Sequence, residues 1–316
     1  MPEASVYLES SCTNCGISHL LGFYQALESG LGIERRISGD LYNLRIFAFE
    51  LSKVRTLLRH FIKFFVNSGF SPYQRPCHEM LFFVERLLQV LQAGKTGGMS
   101  EIMRTDSNQV WSTPDQKAGI ADGLSRIEHH LDGLIELVAR GEIYDHLRGK
   151  AVLPARREIV ADTLGPYARA LGSFSDLRSR DPRRGYEHYA PEISGRFKIN
   201  YDLLDLFRQF FLDVKRNLAI MASAAQKIPE TPPSTKEDKI ISFFTAIEGW
   251  SRLECPSGER NYYLSISKEG KIVDFRWQSA ILAIWQLLRK RGKHLPIEDF
   301  NIAFDLHNTC SACLDG

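Results

Sequence analysis

Apolar residues recur along much of the chain at alternate spacings of three and four, which is the period of an amphipathic helix. The longest such stretch follows Asp40, which we expect to act as the N-cap, and residues 67–69 (Asn-Ser-Gly) end it. Its apolar stripe consists of Leu44, Phe47, Leu51, Val54, Leu58, Phe61 and Phe65. The pattern therefore predicts one long helix with a continuous buried face.

The same period, together with turn residues at the ends, predicts further helices. Their expected ranges are 19–31, 75–91, 113–141, 200–225, 237–249 and 280–290. Glycine and polar residues predict a loop over 92–111, an ordered irregular segment over 164–189 and a surface linker over 229–235.

Alternation over 262–267 and 271–277, with a Lys-Glu-Gly turn between them, predicts a β-hairpin. The expected fold is mainly α: one domain over 1–316, formed by a large helical bundle with a small β-hairpin near the C-terminus.

Composition narrows the class of protein. The chain of 316 residues is 44% hydrophobic and 25% charged, which is typical of a globular protein able to bury a large core. A formal charge of +2 argues against a nucleic-acid binder, which normally has a strong basic excess. We find neither a secretory signal nor an uninterrupted apolar run of ~18 residues, so a cytoplasmic protein without its own membrane span is expected.

Two Cys-x-x-Cys pairs lie nearly the whole sequence apart, Cys12 with Cys15 and Cys310 with Cys313. A two-residue gap lets both thiolates of a pair face one metal ion, and both pairs would complete a four-sulfur site if the fold joins them. In a reducing compartment such pairs favour metal or redox chemistry over structural disulfides. The spacing alone also fits a structural zinc ion.

Other polar and sulfur-containing residues have simpler interpretations. Cys77 and Cys255 are expected to be buried small apolar residues, and His307 a surface histidine. A cluster of three charged residues in the irregular segment predicts an ion-pair network. Its members are Arg169, Asp176 and Arg178.

Several motifs occur in a characteristic order. A Cys-x-x-Cys-x-x-x-His motif ends at His19, a Gly-Pro-x-x-Arg-x-x-Gly turn spans 165–172 and an Asp-x-Arg motif 176–178. Residues 254–259 read Glu-Cys-Pro-Ser-Gly-Glu and lead into the hairpin, before the closing Cys-x-x-Cys. This order resembles the large subunit of nickel-iron hydrogenases, especially the membrane-associated, energy-converting group, and its relative, the 49-kDa-type subunit of respiratory complex I.

The resemblance implies a centre of nickel and iron, the iron carrying cyanide and carbon monoxide. Cys12 and Cys310 would be terminal nickel ligands, Cys15 and Cys313 would bridge to iron, and His19 would donate a hydrogen bond to a bridging sulfur. Ser257 stands where the family has an arginine beside the iron ligands. By this resemblance, we expect 1–316 to lack the family's N-terminal β region. The implied partners are an iron-sulfur small subunit and membrane subunits, which would hold the chain on the inner face of the membrane.

The resemblance therefore implies a hydrogenase subunit that oxidises H2 or reduces protons. Two alternatives remain: a non-catalytic scaffold subunit of the complex I type, and a zinc-stapled helical interaction protein. The four cysteines favour the hydrogenase, whereas Ser257 favours the scaffold.

Overall fold

The protein is described by a computed structural model over residues 2–92, 98–104, 113–150, 165–170, 176–180, 186, 188–189, 202–230 and 245–307. The α-helices in these ranges are α1 (Pro2–Ser10), α2 (Gly16–Gly30), α3 (Gly39–Asn67), α4 (Gln74–Gln92), α5 (Gly98–Met103), α6 (Pro114–Arg140), α7 (Glu142–Leu147), α8 (Pro166–Ala170), α9 (Leu177–Arg180), α10 (Leu203–Lys227), α11 (Ile281–Gly292) and α12 (Ile297–Leu306). The strands are β1 (Ile247–Cys255), β2 (Gly258–Ile266) and β3 (Ile272–Ser279). The mainly helical class with a small sheet near the C-terminus is confirmed.

The long helix α3 forms the centre of the molecule, where it packs against α4, α10 and α12. Every residue of its predicted stripe is at most 2% exposed. The helix begins two residues earlier than expected, because Ser38 is the N-cap and its hydroxyl accepts a hydrogen bond from the Leu41 amide at 3.2 Å. Asp40 lies inside the first turn, so its assignment as N-cap is wrong. The end after Asn67 is as predicted, with Gly69 in the left-handed region at φ 75°.

The helix α6 begins where predicted, since Thr113 and Gln116 form a reciprocal capping box. Two irregular regions contain helices that the sequence pattern missed. The predicted loop 92–111 includes α5, whose Ile102 and Met103 are fully buried. The segment 164–189 contains the short helices α8 and α9, which have too few residues to establish a period.

The sheet is antiparallel, in the order β1-β2-β3. Pairing of Tyr262 with Trp277 confirms the predicted hairpin. The additional strand β1 overlaps the end of the helix predicted over 237–249, so that part of the prediction is wrong, and residues 231–244 lie outside the described ranges. Residues Ile247 to Ser251 alternate between buried and exposed, which is the period of a strand with one face packed.

The sheet lies against α2, close to the N-terminal cysteine pair. A Cβ atom at Gly22 would lie 2.4 Å from the Tyr262 ring, and one at Gly249 would lie 1.9 Å from the Ala26 carbonyl oxygen. Only glycine permits this approach of helix and sheet. Throughout the described ranges, no helix combines the length and the apolar character needed to cross a bilayer.

A candidate metal centre between the first helices and the sheet

Cys12 and Cys15 lie in the turn that connects α1 with α2. The Gly16 amide donates a hydrogen bond to the Cys12 carbonyl at 2.9 Å, and the His19 amide donates one to the Cys15 carbonyl at 3.0 Å. Both cysteines are buried, at 9% and 5% exposure. A Cβ at Gly16 would lie 2.1 Å from the Glu9 carbonyl oxygen, so glycine is required where α1 meets the turn. The turn thus holds two sulfur atoms inside the protein.

A guanidinium group faces this turn from the sheet. Arg260 is fully buried on β2, and its Nη2 donates to the Cys15 sulfur at 3.7 Å. Among the described residues this arginine is the site residue that the sequence analysis missed. A signal for it was present, because residues 258, 260, 262, 264 and 266 all face inward, and a charged residue at an inward position of a strand is unusual.

His19 follows on the first turn of α2 and is 1% exposed. Its ring centroid lies 4.7 Å from that of Trp277 and 5.9 Å from that of Tyr262. Burial, together with the positive charge of Arg260, lowers the pKa of His19 to about 4, against the opposing effect of Cys12. Its Nδ1 atom is buried without a hydrogen-bond partner among the described residues. His19 is therefore neutral at pH 7, and one ring nitrogen can still bond to a group at this site.

The β1–β2 turn carries Ser257, which is 9% exposed. The glycine-proline turn at Gly165 lies directly against it, since a Cβ at Gly165 would be 2.3 Å from the Gly258 Cα. Gly165 also has a φ of 106°, a backbone conformation that residues with a side chain rarely adopt.

Cys255 is buried as predicted, and its thiol also interacts with neighbouring polar groups. Burial raises its pKa, while the positive charge of Arg260 and a hydrogen bond with the Ser18 side chain oppose that rise.

A buried charge network begins beside Cys255. Arg169 pairs with Glu254 at 2.7 Å and with Asp213 at 2.8 Å, and Arg178 pairs with Asp176 at 2.7 Å. These contacts confirm the ion-pair network expected for Arg169, Asp176 and Arg178. The network continues from Arg178 to Glu50, which contacts Lys53 and Tyr186, and Arg178 also donates to Asn217 at 2.8 Å.

Glu254 and Asp176 respond in opposite directions to this environment. Burial raises the pKa of Glu254 even though Arg169 opposes the shift. Burial also acts to raise the pKa of Asp176, but Arg178 and Arg169 more than reverse that effect and hold it well below its usual range. Glu254, which precedes Cys255 in the sequence, is thus the carboxyl that takes up a proton more readily.

The C-terminal helix α12 ends near the same region. Phe304 contacts Trp285 at 5.1 Å between centroids, and Trp285 packs on the small cluster of Cys12, Cys15 and Ile281. His307 is 3% exposed and lies 5.1 Å from the Tyr167 ring, so its assignment to the surface is wrong. Its position after an amphipathic helix gave no signal for burial, which comes from contact with α8.

The second cysteine pair, Cys310 and Cys313, lies outside the described residues. Within the described ranges, no three His, Cys, Asp or Glu side chains form a group that could hold a metal ion. The structure therefore brings Cys12, Cys15 and His19 together and places Ser257 in the neighbouring β1–β2 turn. The four-sulfur site remains a prediction.

Comparisons with known proteins relate the chain to subunits of redox complexes. No family model matches it. It is 23% identical to the alpha subunit of the membrane-bound hydrogenase of Pyrococcus furiosus over 321 aligned residues, which cover 97% of this chain and 74% of that protein. It is 32% identical to an NADH-quinone oxidoreductase subunit of Solibacter usitatus over 134 residues, 42% of this chain. The corresponding NADH-quinone oxidoreductase subunit of Carboxydothermus hydrogenoformans is 25% identical over 262 residues, 78% of this chain and 66% of that protein.

The chain is thus similar, at low identity, both to one type of NADH-quinone oxidoreductase subunit and to the alpha subunit of a membrane-bound hydrogenase. It spans 35% of the Solibacter protein and 41% of three NADH-quinone oxidoreductase subunits from Dehalococcoides mccartyi.

Proposed function

We propose that this chain is the catalytic large subunit of a divergent nickel-iron hydrogenase, which oxidises H2 or reduces protons. The supporting observation is the buried Cys12–Cys15 pair facing Arg260, in a chain aligned over 97% of its length with a membrane-bound hydrogenase subunit. Buried thiolates are soft ligands, and nickel and iron bind well to such sulfur donors. The described half of the donor set therefore fits the proposed centre.

Cys12 and Cys15 would hold one side of the centre, and Cys310 and Cys313 the other. When bound, the nickel-iron group supplies the place at which H2 is split or formed. Arg260 would balance the negative charge of the sulfur ligands, because its guanidinium already lies beside Cys15. Neutral His19 would donate a hydrogen bond from Nδ1 to a ligand sulfur. Glu254, a network carboxyl with a raised pKa that precedes Cys255 in the sequence, would accept and release protons.

The chain would act within a complex. We propose an iron-sulfur small subunit as the electron-transfer partner, with membrane subunits that hold the assembly on the inner face of the membrane. The similarity to subunits of two such membrane-associated complexes supports this assembly.

Metal analysis tests the function directly. Purified complex should contain nickel and iron and show infrared bands of cyanide and carbon monoxide ligands. Replacing Cys15 with Ser should abolish metal retention, because a hydroxyl is a poor ligand for these metals. Cys77→Ser is the matched control, since burial on α4 raises the pKa of the Cys77 thiol to about 12 and keeps it out of metal chemistry.

Zinc alone, or no metal, in the wild-type complex would overturn the proposal. Zinc would instead support a helical protein that is stabilised by a structural zinc ion and binds partner proteins. Loss of metal in Cys77→Ser as well as in Cys15→Ser would refute the ligand assignment.

The second candidate function is a non-catalytic scaffold subunit of the complex I type. Ser257 favours it, because the β1–β2 turn presents a neutral hydroxyl where the related hydrogenases have an arginine. H2-dependent dye reduction separates the two functions. A complex that retains nickel but reduces no dye under H2 would favour the scaffold.

A further inference from the structure

The backbone of Arg260 is held by neighbouring strands on both sides. Arg260 lies on the central strand β2, where it pairs with Leu253 of β1 and Ser279 of β3. Its side chain is fully buried and points to the face of the sheet that packs on α2. With its backbone paired on both sides and its side chain buried, Arg260 has little room to follow its partner to a new position. The partner must instead be placed correctly by its own backbone.

Cys15 satisfies that condition. It precedes α2, with its carbonyl bonded to the His19 amide and its sulfur 3.7 Å from Arg260 Nη2. A guanidinium donates a stronger hydrogen bond to an anionic sulfur than to a neutral thiol. A metal-bound cysteine is such an anionic sulfur, because coordination deprotonates the thiol. The contact therefore matches the ligated form of Cys15 better than the free thiol.

We infer that Arg260 is a positioning residue for metal binding, which holds the Cys15 sulfur in its ligating orientation and balances the charge of the thiolates around a thiophilic divalent cation. This inference rests on the metal site in the proposed function, but it does not depend on nickel or on hydrogenase chemistry. A planar guanidinium suits the role because it is weakly hydrated and keeps its charge. Groups that bond to metal ligands in this way commonly affect metal affinity by about 10–100-fold.

Cobalt binding to the full chain tests the inference. Co²⁺ is added to the metal-free protein, and the thiolate-to-cobalt charge-transfer absorption gives both the affinity and the number of sulfur ligands. Arg260→Met should weaken Co²⁺ binding about tenfold or more. Arg260→Lys, which keeps the charge, should recover most of that loss. The matched control is Arg252→Met on β1, where the arginine is half exposed and pairs with Glu259 on the outer side of the sheet.

Thermal unfolding of each metal-free variant separates folding from binding. If Arg260→Met does not fold, Arg260→Gln replaces it with the same expected loss, since glutamine is polar and uncharged. Wild-type affinity in a folded neutral variant would overturn the inference. So would a wild-type chain that shows no thiolate-to-cobalt band.

The two proposals fail separately. Weakened Co²⁺ binding in Arg260→Met, combined with zinc alone in the purified complex, would support the role of Arg260 and refute the hydrogenase. Nickel, iron and infrared bands, combined with unchanged Co²⁺ binding in Arg260→Met, would do the reverse.

Discussion

Arg260 and His19 share one buried cluster beside Cys15, and the charge of the arginine influences the histidine. Burial and the nearby guanidinium keep His19 neutral, so it can act as a hydrogen-bond donor but not as a second cation. The family resemblance implies an arginine at residue 257, where this chain has serine. The structure instead brings a different arginine, three residues further along, to the cysteine sulfur. A positive charge is thus present at the site, although it comes from strand β2 and not from the β1–β2 turn.

His60 is a second buried histidine, on the central helix α3. Its Nε2 lies 3.0 Å from the Leu306 carbonyl oxygen, which can only accept, so Nε2 carries the proton. Burial lowers the pKa of His60 to about 4, while the bond to Leu306 opposes the shift and the charges of Lys63 and His307 add to it. The neutral ring therefore ties α3 to the end of α12.

The lowered pKa makes stability depend on pH. The unfolded chain takes up a proton on His60 below pH about 6.5, whereas the folded chain does so only near 4. The contribution of His60 is therefore complete above pH 6.5 and is lost as the pH falls towards 4, by about 1.4 kcal/mol per pH unit. Urea unfolding at pH 7.5, 6 and 5 should show a smaller decline in the free energy of unfolding for His60→Gln than for the wild type.

The exposed His78 on α4 supplies the matched control, because His78→Gln makes the same substitution without removing a buried contact. Equal declines in His60→Gln and the wild type would contradict the assignment of a low pKa to His60.

Helix α2 and the sheet approach each other more closely than side chains normally allow. The Ser251 hydroxyl donates to the Gly22 carbonyl at 2.7 Å, and Gly22 faces the fully buried Tyr262 ring. This contact sets the distance between Cys15, at the start of α2, and Arg260 on β2. The glycine is therefore a structural condition for the geometry of the site.

Gly22→Ala should destabilise the protein by about 1–3 kcal/mol, because the added methyl group overlaps the Tyr262 ring. The clash outweighs the gain in helix propensity. Gly133→Ala on α6 makes the same change in a helix with no atom within 4 Å of the new methyl group, and it should stabilise by about 0.5–1 kcal/mol. Denaturant unfolding measures both. Equal effects of the two substitutions would refute the close-packing argument.

At the scale of the molecule, the buried charge network connects elements that are far apart in the sequence. It connects α3 through Glu50, α9 through Arg178, α10 through Asn217 and β1 through Glu254. Such networks add little net stability compared with apolar packing, yet they respond strongly to the loss of one member. They also fix which groups face each other, because every charge needs its partner in place.

Arg178→Met should therefore cost about 3–5 kcal/mol, since the buried carboxylates of Asp176 and Glu50 would each lose one of their partners. The exposed Arg126, which pairs with Asp122 on α6, is the comparison, and Arg126→Met should leave the unfolding midpoint unchanged. Chemical denaturation measures the free energy of unfolding of both variants. A small effect of Arg178→Met would show that water or rearrangement satisfies the remaining carboxylates.

The sequence by itself determined the helical period of α3, the capped start of α6, the β2–β3 hairpin and the burial of Cys77. These features depend on neighbours within a few residues, where periodicity and turn chemistry act directly. It also picked out Cys12, Cys15 and His19 as one motif, because they share a single turn and helix start. The pairing of Cys12 and Cys15 with Cys310 and Cys313 stays a prediction.

Only the tertiary structure decided the remaining features. The added strand β1, the burial of His307 and the approach of Arg260 to Cys15 all depend on contacts between segments far apart in the chain. Cys15 and Arg260 are separated by 245 residues, so no local pattern could indicate that a sheet arginine would lie beside the cysteine. Their contact exists because Gly22 and Gly249 allow α2 to pack closely on the sheet, and this packing forms only in the folded protein.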